Sequence, residues 1–390
     1  MMDREPRAAR AALVEVGMLI GVVGGGQLGR MLALAGIPLG LRFRFLDIAP
    51  DAPAARVGDL VVGAFEDPIA IDRFADGLDL VTYEFENVPA SCVRRLAERV
   101  PVYPPVEALE VGQDRAREKA LFARLGLGVP EYRIASTRDA FDDAVRTLGT
   151  PLVVKTCRLG YDGKGQAVVR TPADAAGAWE SLCGRGATDL IIERLVAFDG
   201  EVSILACRGR DGAVACYPLV ENVHRGGILR TSRVPTRWEG LHAEGARAAG
   251  LVLEALGYVG VLAIEFFVSG GRLLVNEMAP RVHNSGHWTI EGAVTSQFEN
   301  HLRAIACLPL GECAPRGASV MVNMLGDAPS LADVLRVPGA HAHLYGKQPR
   351  PGRKIGHVTV TGPDADALRP HATRIEALCD DAMRRAERAS

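Results

Sequence analysis

A short apolar, β-branched run over residues 18–23 (Met-Leu-Ile-Gly-Val-Val) stops at Gly24-Gly-Gly and resumes at once as an apolar helical stretch over residues 31–35. A strand that ends in glycines and passes directly into a helix opens a β-turn-α unit. Further strands are expected over residues 41–47, 60–62 and 78–84, separated by helix-length or turn-rich sequence. Alternation of this kind calls for a parallel sheet with helices on its faces. The paired prolines of Val102-Tyr-Pro-Pro-Val106 close the unit, because neither a helix nor a central strand accommodates them.

The chain runs to 390 residues, too long for one hydrophobic core, and domains of about 100–150 residues are the norm. A helix carrying Gln113, Asp114, Arg115 and Lys119 leads out of the first unit into a second, α+β unit over residues 132–196, with a strand at 151–155. A strand-rich stretch follows over residues 201–289, then a helix and a smaller tail. The expected partition is a disordered extension over residues 1–17, a first β/α unit over 18–112, a central unit over 113–314 and a smaller tail unit over 315–390. The first 17 residues are rich in Arg and Ala, but Asp3, Glu5 and Glu15 interrupt the charge and no cleavable apolar region follows, so Met18 reads as the functional beginning.

Composition narrows the function. Hydrophobic residues at 48% and charged residues at 24%, with a net charge of -2, give a globular chain with no overall basic field for nucleic acid or an anionic membrane. No apolar run approaches the roughly 20 residues that span a bilayer. The 8 cysteines are scattered without metal-like spacing, which suits reduced thiols and a cytoplasmic setting.

Five clusters carry chemistry. Gly24, Gly26 and Gly29 satisfy G-x-G-x-x-G between strand and helix, with Asp47 ending the next strand; alone, this reads as a nicotinamide dinucleotide site, although such turns also hold other phosphates or permit close packing. Lys155 ends a strand, and Gly160-Tyr-Asp-Gly-Lys-Gly-Gln166 follows, a glycine-rich loop with a second lysine, Lys164, suited to a triphosphate or else a solvated hairpin tip. Two apolar runs flank Ser269-Gly-Gly271, a hairpin turn that sets Glu265 and Glu277 about opposite one another. Opposed carboxylates need a cation between them, and Mg²⁺ takes carboxylate oxygens together with substrate phosphates. The alternative is a bulge that offsets the register and leaves both acids solvated. Beyond the hairpin, Arg281, His283, Asn284, Ser285 and His287 crowd a turn-forming segment, and Lys347, Arg350, Arg353 and Lys354 form a basic turn that either clamps a phosphate monoester or is simply solvated.

Taken in order, Gly24-Gly-Gly-Gln-Leu-Gly-Arg-Met31, Thr82-Tyr-Glu-Phe-Glu-Asn-Val88, Gln113-Asp-Arg115, Lys155 with its loop, Glu221-Asn-Val-His224, Asn276-Glu-Met-Ala-Pro-Arg281, His283-Asn-Ser-Gly-His-Trp-Thr289, Tyr345-Gly-Lys347 and Gly352-Arg-Lys-Ile-Gly-His357 resemble the N5-carboxyaminoimidazole ribonucleotide synthases of the ATP-grasp superfamily, over residues 18–360. Cys157 and Leu159 depart from an Arg and a Gly often found there, Val282 from a Pro, and Ile48 from a Pro. The resemblance implies an ATP-grasp fold with an N-terminal Rossmann-like domain and a small C-terminal β-rich domain.

It also implies a division of residues. Arg115, Lys155 and the loop Gly160, Tyr161, Asp162, Gly163, Lys164, Gly165 and Gln166 would meet the phosphates of ATP. Glu193, Arg194, Leu195 and Val196 would form the adenine hinge, Glu201 would hold the ribose, and His224 would lie near the nucleotide. Glu265 and Glu277 would bind Mg²⁺, or Mn²⁺, with Asn276 beside them. Gln27, Leu28, Glu86, Tyr161, Asp162, Lys164, Arg281, His283, Asn284, Ser285, Lys347, Arg353 and Lys354 would surround 5-aminoimidazole ribonucleotide and bicarbonate, and the protein would be a homodimer. The implied reaction forms carboxyphosphate from bicarbonate and ATP and transfers its carboxyl to the substrate amine. A formate-dependent transformylase of the same superfamily and a nicotinamide dehydrogenase are the competing readings.

Overall fold

The computed structural model describes residues 17–160, 165–183 and 189–388. The extension expected over residues 1–17 therefore falls, except for Gly17, outside the described residues, as do Tyr161, Asp162, Gly163 and Lys164.

The chain opens with β1 (Leu19–Val23), α1 (Gln27–Gly36), β2 (Arg42–Asp47), β3 (Asp59–Val62), α2 (Pro68–Ala75), β4 (Leu80–Tyr83) and α3 (Ala90–Ala97). The strands form a parallel sheet in the order β3-β2-β1-β4. Every residue of β1 is buried, as a central parallel strand covered on both faces requires.

The helix expected to carry Gln113, Asp114, Arg115 and Lys119 is two helices, α4 (Val106–Gly112) and α5 (Arg115–Arg124). Asp114 breaks it: its backbone is extended, and its carboxylate accepts from the N–H groups of Ala116 and Arg117 as the cap of α5. The break places Arg115 at the head of the new helix and frees Gln113 to donate to Glu86 O at 2.7 Å and Val88 O at 2.6 Å, tying the first unit to the second.

Next come β5 (Tyr132–Ala135), α6 (Arg138–Leu148), β6 (Leu152–Thr156), β7 (Gln166–Val169), α7 (Ala175–Cys183) and β8 (Leu190–Arg194). They build a small antiparallel sheet in the order β5-β8-β6-β7.

The remaining strands are β9 (Gly200–Arg208), β10 (Val214–Cys216), β11 (Val220–Arg225), β12 (Ile228–Val234), β13 (Gly260–Ser269), β14 (Arg272–Ala279), β15 (Ala318–Gly326), β16 (Ala340–Leu344) and β17 (Arg350–Gly362). Interspersed are α8 (His242–Ala255), α9 (Thr289–Gly292), α10 (Gln297–Ile305) and α11 (Leu331–Leu335), and α12 (Ala365–Arg388) ends the chain. One large sheet runs β14-β13-β9-β11-β12-β15-β17-β16, with β10 on β9. Pairing of β12 with β15 carries this sheet straight across residue 315, so the C-terminal unit is an extension of the central sheet. Its outer cover is α12, whose Leu368, Ala372, Ile375, Cys379 and Ala382 recur every three or four residues and are all buried.

Candidate active site

The β13–β14 hairpin turns on Gly270 and Gly271, both with positive φ (57° and 73°), the conformation of the tightest hairpin turn. From that turn Ser269 faces Arg272 and Phe266 faces Val275, a register that would set Asn276 against Glu265. A bulge intervenes, and Glu277 takes the place opposite Glu265. The bulge that could have separated the acids is what brings them together. Each has one oxygen engaged: Arg115 donates to Glu277 Oε2 at 2.7 Å, and His283 Nε2 lies 3.1 Å from Glu265 Oε1. Burial alone would raise the Glu277 carboxyl, but Arg115 and Lys155 outweigh it and hold it at about 2. Beside the pair, Asn276 Oδ1 is buried and accepts no hydrogen bond among the described residues.

The facing wall comes from α5 and β6. Arg115, Glu118 and Lys119 lie at i, i+3 and i+4 on α5 and so share one face. Lys119 and Lys155 grip the two oxygens of Glu193, at 2.9 and 2.6 Å, and Lys119 also donates to Asn276 O at 2.8 Å. Despite burial, the two lysines keep the Glu193 carboxyl at about 2. Glu118 accepts from Met278 N–H at 2.6 Å, and burial followed by the Glu277 charge pushes it up to about 8.

Between these walls lies a cleft of about 700 Å³. Arg115, Lys155, Gly160, Gln166, Glu201, His224, Glu265, Asn276 and Glu277 line its hairpin side. His224 Nδ1 sits 2.9 Å from Glu201 Oε2; burial works against the imidazolium, yet that hydrogen bond and the Glu265 charge raise its pKa. At the far end Gln27, Leu28, Glu86, Arg281, His283, Asn284, Lys347, Arg353 and Lys354 line the same cleft. There Arg281 donates to Glu86, and Lys347 to Gln27 Oε1. Burial lowers the Lys347 pKa, with Glu84 opposing it.

Several expected residues sit elsewhere. Glu193, Arg194, Leu195 and Val196 do not line the cleft; the Glu193 carboxylate is buried beneath the lysines, and the Arg194 guanidinium turns away to Leu148 O at 2.7 Å. Ser285 is fully buried, its hydroxyl receiving the Ser203 hydroxyl at 2.7 Å and lying 2.9 Å from His283 Nδ1. It orients His283 rather than lining the cleft.

The glycine-rich turn is also different from a dinucleotide site. Gly26 N–H donates to Glu84 Oε1 at 2.5 Å and Gly29 N–H to Glu84 Oε2 at 2.6 Å. Asp47, the residue a ribose would need, accepts from Gly25 N–H at 2.7 Å and Ala49 N–H at 2.8 Å. A Cβ on Gly26 would stand 2.3 Å from Glu84 Oε1, so glycine is needed there to admit a protein carboxylate. The N–H groups of the turn's Gly25, Gly26 and Gly29 are thus spent on the protein's own carboxylates.

Sequence reasoning missed Glu84, Glu118, Lys119 as a Glu193 partner, and Asn323, whose amide exchanges two hydrogen bonds with Asn284 at 2.6 and 3.1 Å. The helical spacing from Arg115 was a usable signal for Glu118 and Lys119; nothing local to Glu84 or Asn323 marks them.

This arrangement can hold a polyanion between cationic walls, with a paired-acid site for a hard cation at its centre. The chain matches the ribonucleotide synthetase preATP-grasp domain over residues 18–113, the ATP-grasp domain over 120–298 and the phosphoribosylaminoimidazole carboxylase C-terminal domain over 319–371. It is 50% identical over 363 residues to the N5-carboxyaminoimidazole ribonucleotide synthase of Pseudomonas aeruginosa, covering 93% of this chain and 100% of that protein. The crystal structure of the synthetase from Thermus thermophilus superposes with a TM-score of 0.88 at 56% identity, covering 92% of this chain and 98% of that one. The Aspergillus clavatus enzyme in complex with ADP and 5-aminoimidazole ribonucleotide gives 0.87 at 30% identity, covering 94% and 99%.

Proposed function

The chain belongs to the family of N5-carboxyaminoimidazole ribonucleotide synthases, and on that premise we propose which of its residues do which part of the work. The enzyme is an ATP-dependent ligase that carboxylates 5-aminoimidazole ribonucleotide in purine biosynthesis. The observation that carries the assignment of residues is the facing pair Glu265 and Glu277, each with one oxygen engaged, by His283 and Arg115 respectively, and the other without a hydrogen bond among the described residues.

ATP lies along the hairpin side, its phosphates between Arg115 and Lys155 and its ribose by Glu201. The adenine extends past the hairpin end of the cleft toward the backbone of residues 193–196, the Glu193 carboxylate itself being engaged by Lys119 and Lys155. Mg²⁺ fits the acid pair: the donors are hard oxygens, and the orphaned Asn276 Oδ1 adds a third. When bound, the ion screens phosphate charge. A bicarbonate oxygen attacks the γ-phosphorus, ADP leaves, and the resulting carboxyphosphate passes its carboxyl to the exocyclic amine, with loss of phosphate and an amine proton. The chain's part is to position and to neutralise; no protein nucleophile is needed. Arg281 and His283 face the carboxyl donor, while Lys347 and Arg353 take the ribonucleotide phosphate. Tyr161, Asp162 and Lys164 lie outside the described residues, and their part in the site rests on the family resemblance alone.

Among the described residues no helix is long and apolar enough to cross a membrane, and the 8 cysteines are free, which supports a reducing, cytoplasmic setting. Homodimer assembly and division of the chain at residues 112/113 and 314/315 belong to the same proposal. The decisive assay follows phosphate release with each substrate withheld and ¹³C-bicarbonate supplied. Label in the product amine supports the assignment; turnover driven by formate, or release independent of bicarbonate, overturns it.

A further inference from the structure

The turn that carries Lys347 leaves the end of β16, and its first residue, Tyr345, is buried. Tyr345 N–H donates to Ile355 O at 2.9 Å, and its hydroxyl lies 2.7 Å from His357 Nδ1. His357 is fully buried on β17, stacked on His343 with ring centres 4.5 Å apart, and its ring centre is 4.8 Å from that of His287. Its Nε2 meets no hydrogen-bond partner among the described residues, so Tyr345 is what fixes the ring's polar edge.

His287 belongs to the segment that carries His283. Its Nδ1 lies 3.3 Å from Gln297 Nε2, and the same amide accepts from His283 N–H at 2.8 Å and donates to His283 O at 2.7 Å. A single buried layer thus connects Lys347, through Tyr345 and His357, to His287, Gln297 and His283. Neither His287 nor His357 lines the cleft. Two residues that face the cleft from distant parts of the sequence share one internal mount.

We propose that His357 is a positioning residue for the ribonucleotide end of the cleft: through Tyr345 it sets the turn that aims Lys347, and through its packing on His287 it keeps that turn in step with His283. This rests on Lys347 holding the substrate phosphate. A long lysine on a glycine-containing turn has many conformations, and binding is weakened when its mount is loose.

The test uses steady-state kinetics on the full chain. Tyr345→Phe removes one hydroxyl from an otherwise unchanged ring and is expected to raise the KM for 5-aminoimidazole ribonucleotide about five- to tenfold, with the KM for ATP within about twofold. In a Lys347→Ala background the same change should add less than about twofold, because it acts through that lysine. His357→Asn, which keeps an amide atom near the Nδ1 position, should retain most of the ribonucleotide affinity that His357→Leu loses. Equal rises in both KM values, or a Tyr345→Phe effect undiminished without Lys347, overturns the positioning role while leaving Lys347 on the phosphate. An unchanged ribonucleotide KM in Lys347→Ala alone removes Lys347 from the substrate, and the positioning role falls with it. Should His357→Leu fail to fold, the Tyr345→Phe cycle decides the matter by itself.

Discussion

Two regions of this protein look like nucleotide sites in sequence, and the structure treats them in opposite ways. The glycine turn at the head of α1 gives the N–H groups of Gly25, Gly26 and Gly29 to Asp47 and Glu84, carboxylates of the protein itself. The β13–β14 hairpin lines the cleft with two carboxylates that each have one oxygen engaged, next to an amide oxygen with no hydrogen-bond partner among the described residues. A phosphate or metal motif becomes a site only when its polar groups are left unspent by the fold. Glycine spacing records that something anionic approaches closely; it does not say whether that anion is a ligand or the protein's own side chain.

The sharpest way to break this comparison is Glu277→Gln. If the acid pair faces a metal-bound nucleotide, turnover should fall by about a thousandfold or more with the fold retained, although Arg115 loses its anion and some stability goes with it. Near-normal ADP release would place the hairpin in the same internally satisfied class as the glycine turn.

Glu193 is the internal counterpart beneath the cleft's wall, a buried carboxylate with an ammonium close to each oxygen, Lys119 at 2.9 Å and Lys155 at 2.6 Å. Glu193→Gln leaves two ammonium groups without their anion and should cost about 3 kcal/mol at neutral pH by chemical denaturation. The folded carboxyl is held at about 2 against an ordinary value of 4.5. Its contribution is therefore complete above about pH 4.5 and is lost as pH falls toward 2, so the gap between wild type and variant should close over that window. A gap that stays constant with pH would assign the loss to packing instead.

At the glycine turn, Gly26→Val drives a side chain into Glu84, and the neighbour that must move is a carboxylate held by two N–H groups. A loss of about 2 kcal/mol in stability is expected, with no nicotinamide dinucleotide binding in the wild type by titration calorimetry. Saturable dinucleotide binding abolished by the substitution would reverse the comparison.

The smallest effect should come from Asp47→Asn, which retains one acceptor for two N–H donors. It should cost about 1 kcal/mol and leave both KM values unchanged. A selective rise in either KM would mean that Asp47 reaches a ligand after all.

Much of the site was legible in the chain. Ser269-Gly-Gly271 between two apolar runs fixed a hairpin, because positive φ at two successive positions is available to glycine at little cost. A glutamate within each apolar run then had to be neutralised. Lys155 at the end of β6 and the donors from Arg281 to Asn284 were likewise marked by composition and local turn chemistry, and all of them line the cleft. The first unit's alternation of strand and helix was enough to set a parallel sheet.

Other features required the folded chain. The bulge that selects Glu277 over Asn276, and the cap at Asp114 that splits a helix to aim Arg115, are shifts of one or two residues on which periodicity is silent. Glu84 reaching Gly26, Asn323 meeting Asn284, and His357 beneath the Lys347 turn join positions 58, 39 and 10 residues apart. A sequence determines the local conformations each stretch prefers, since backbone sterics and hydrophobic period act over a few residues. Which polar groups end up spent on one another, and which remain for a ligand, is decided by packing between distant segments, because only there do burial and partner arise together.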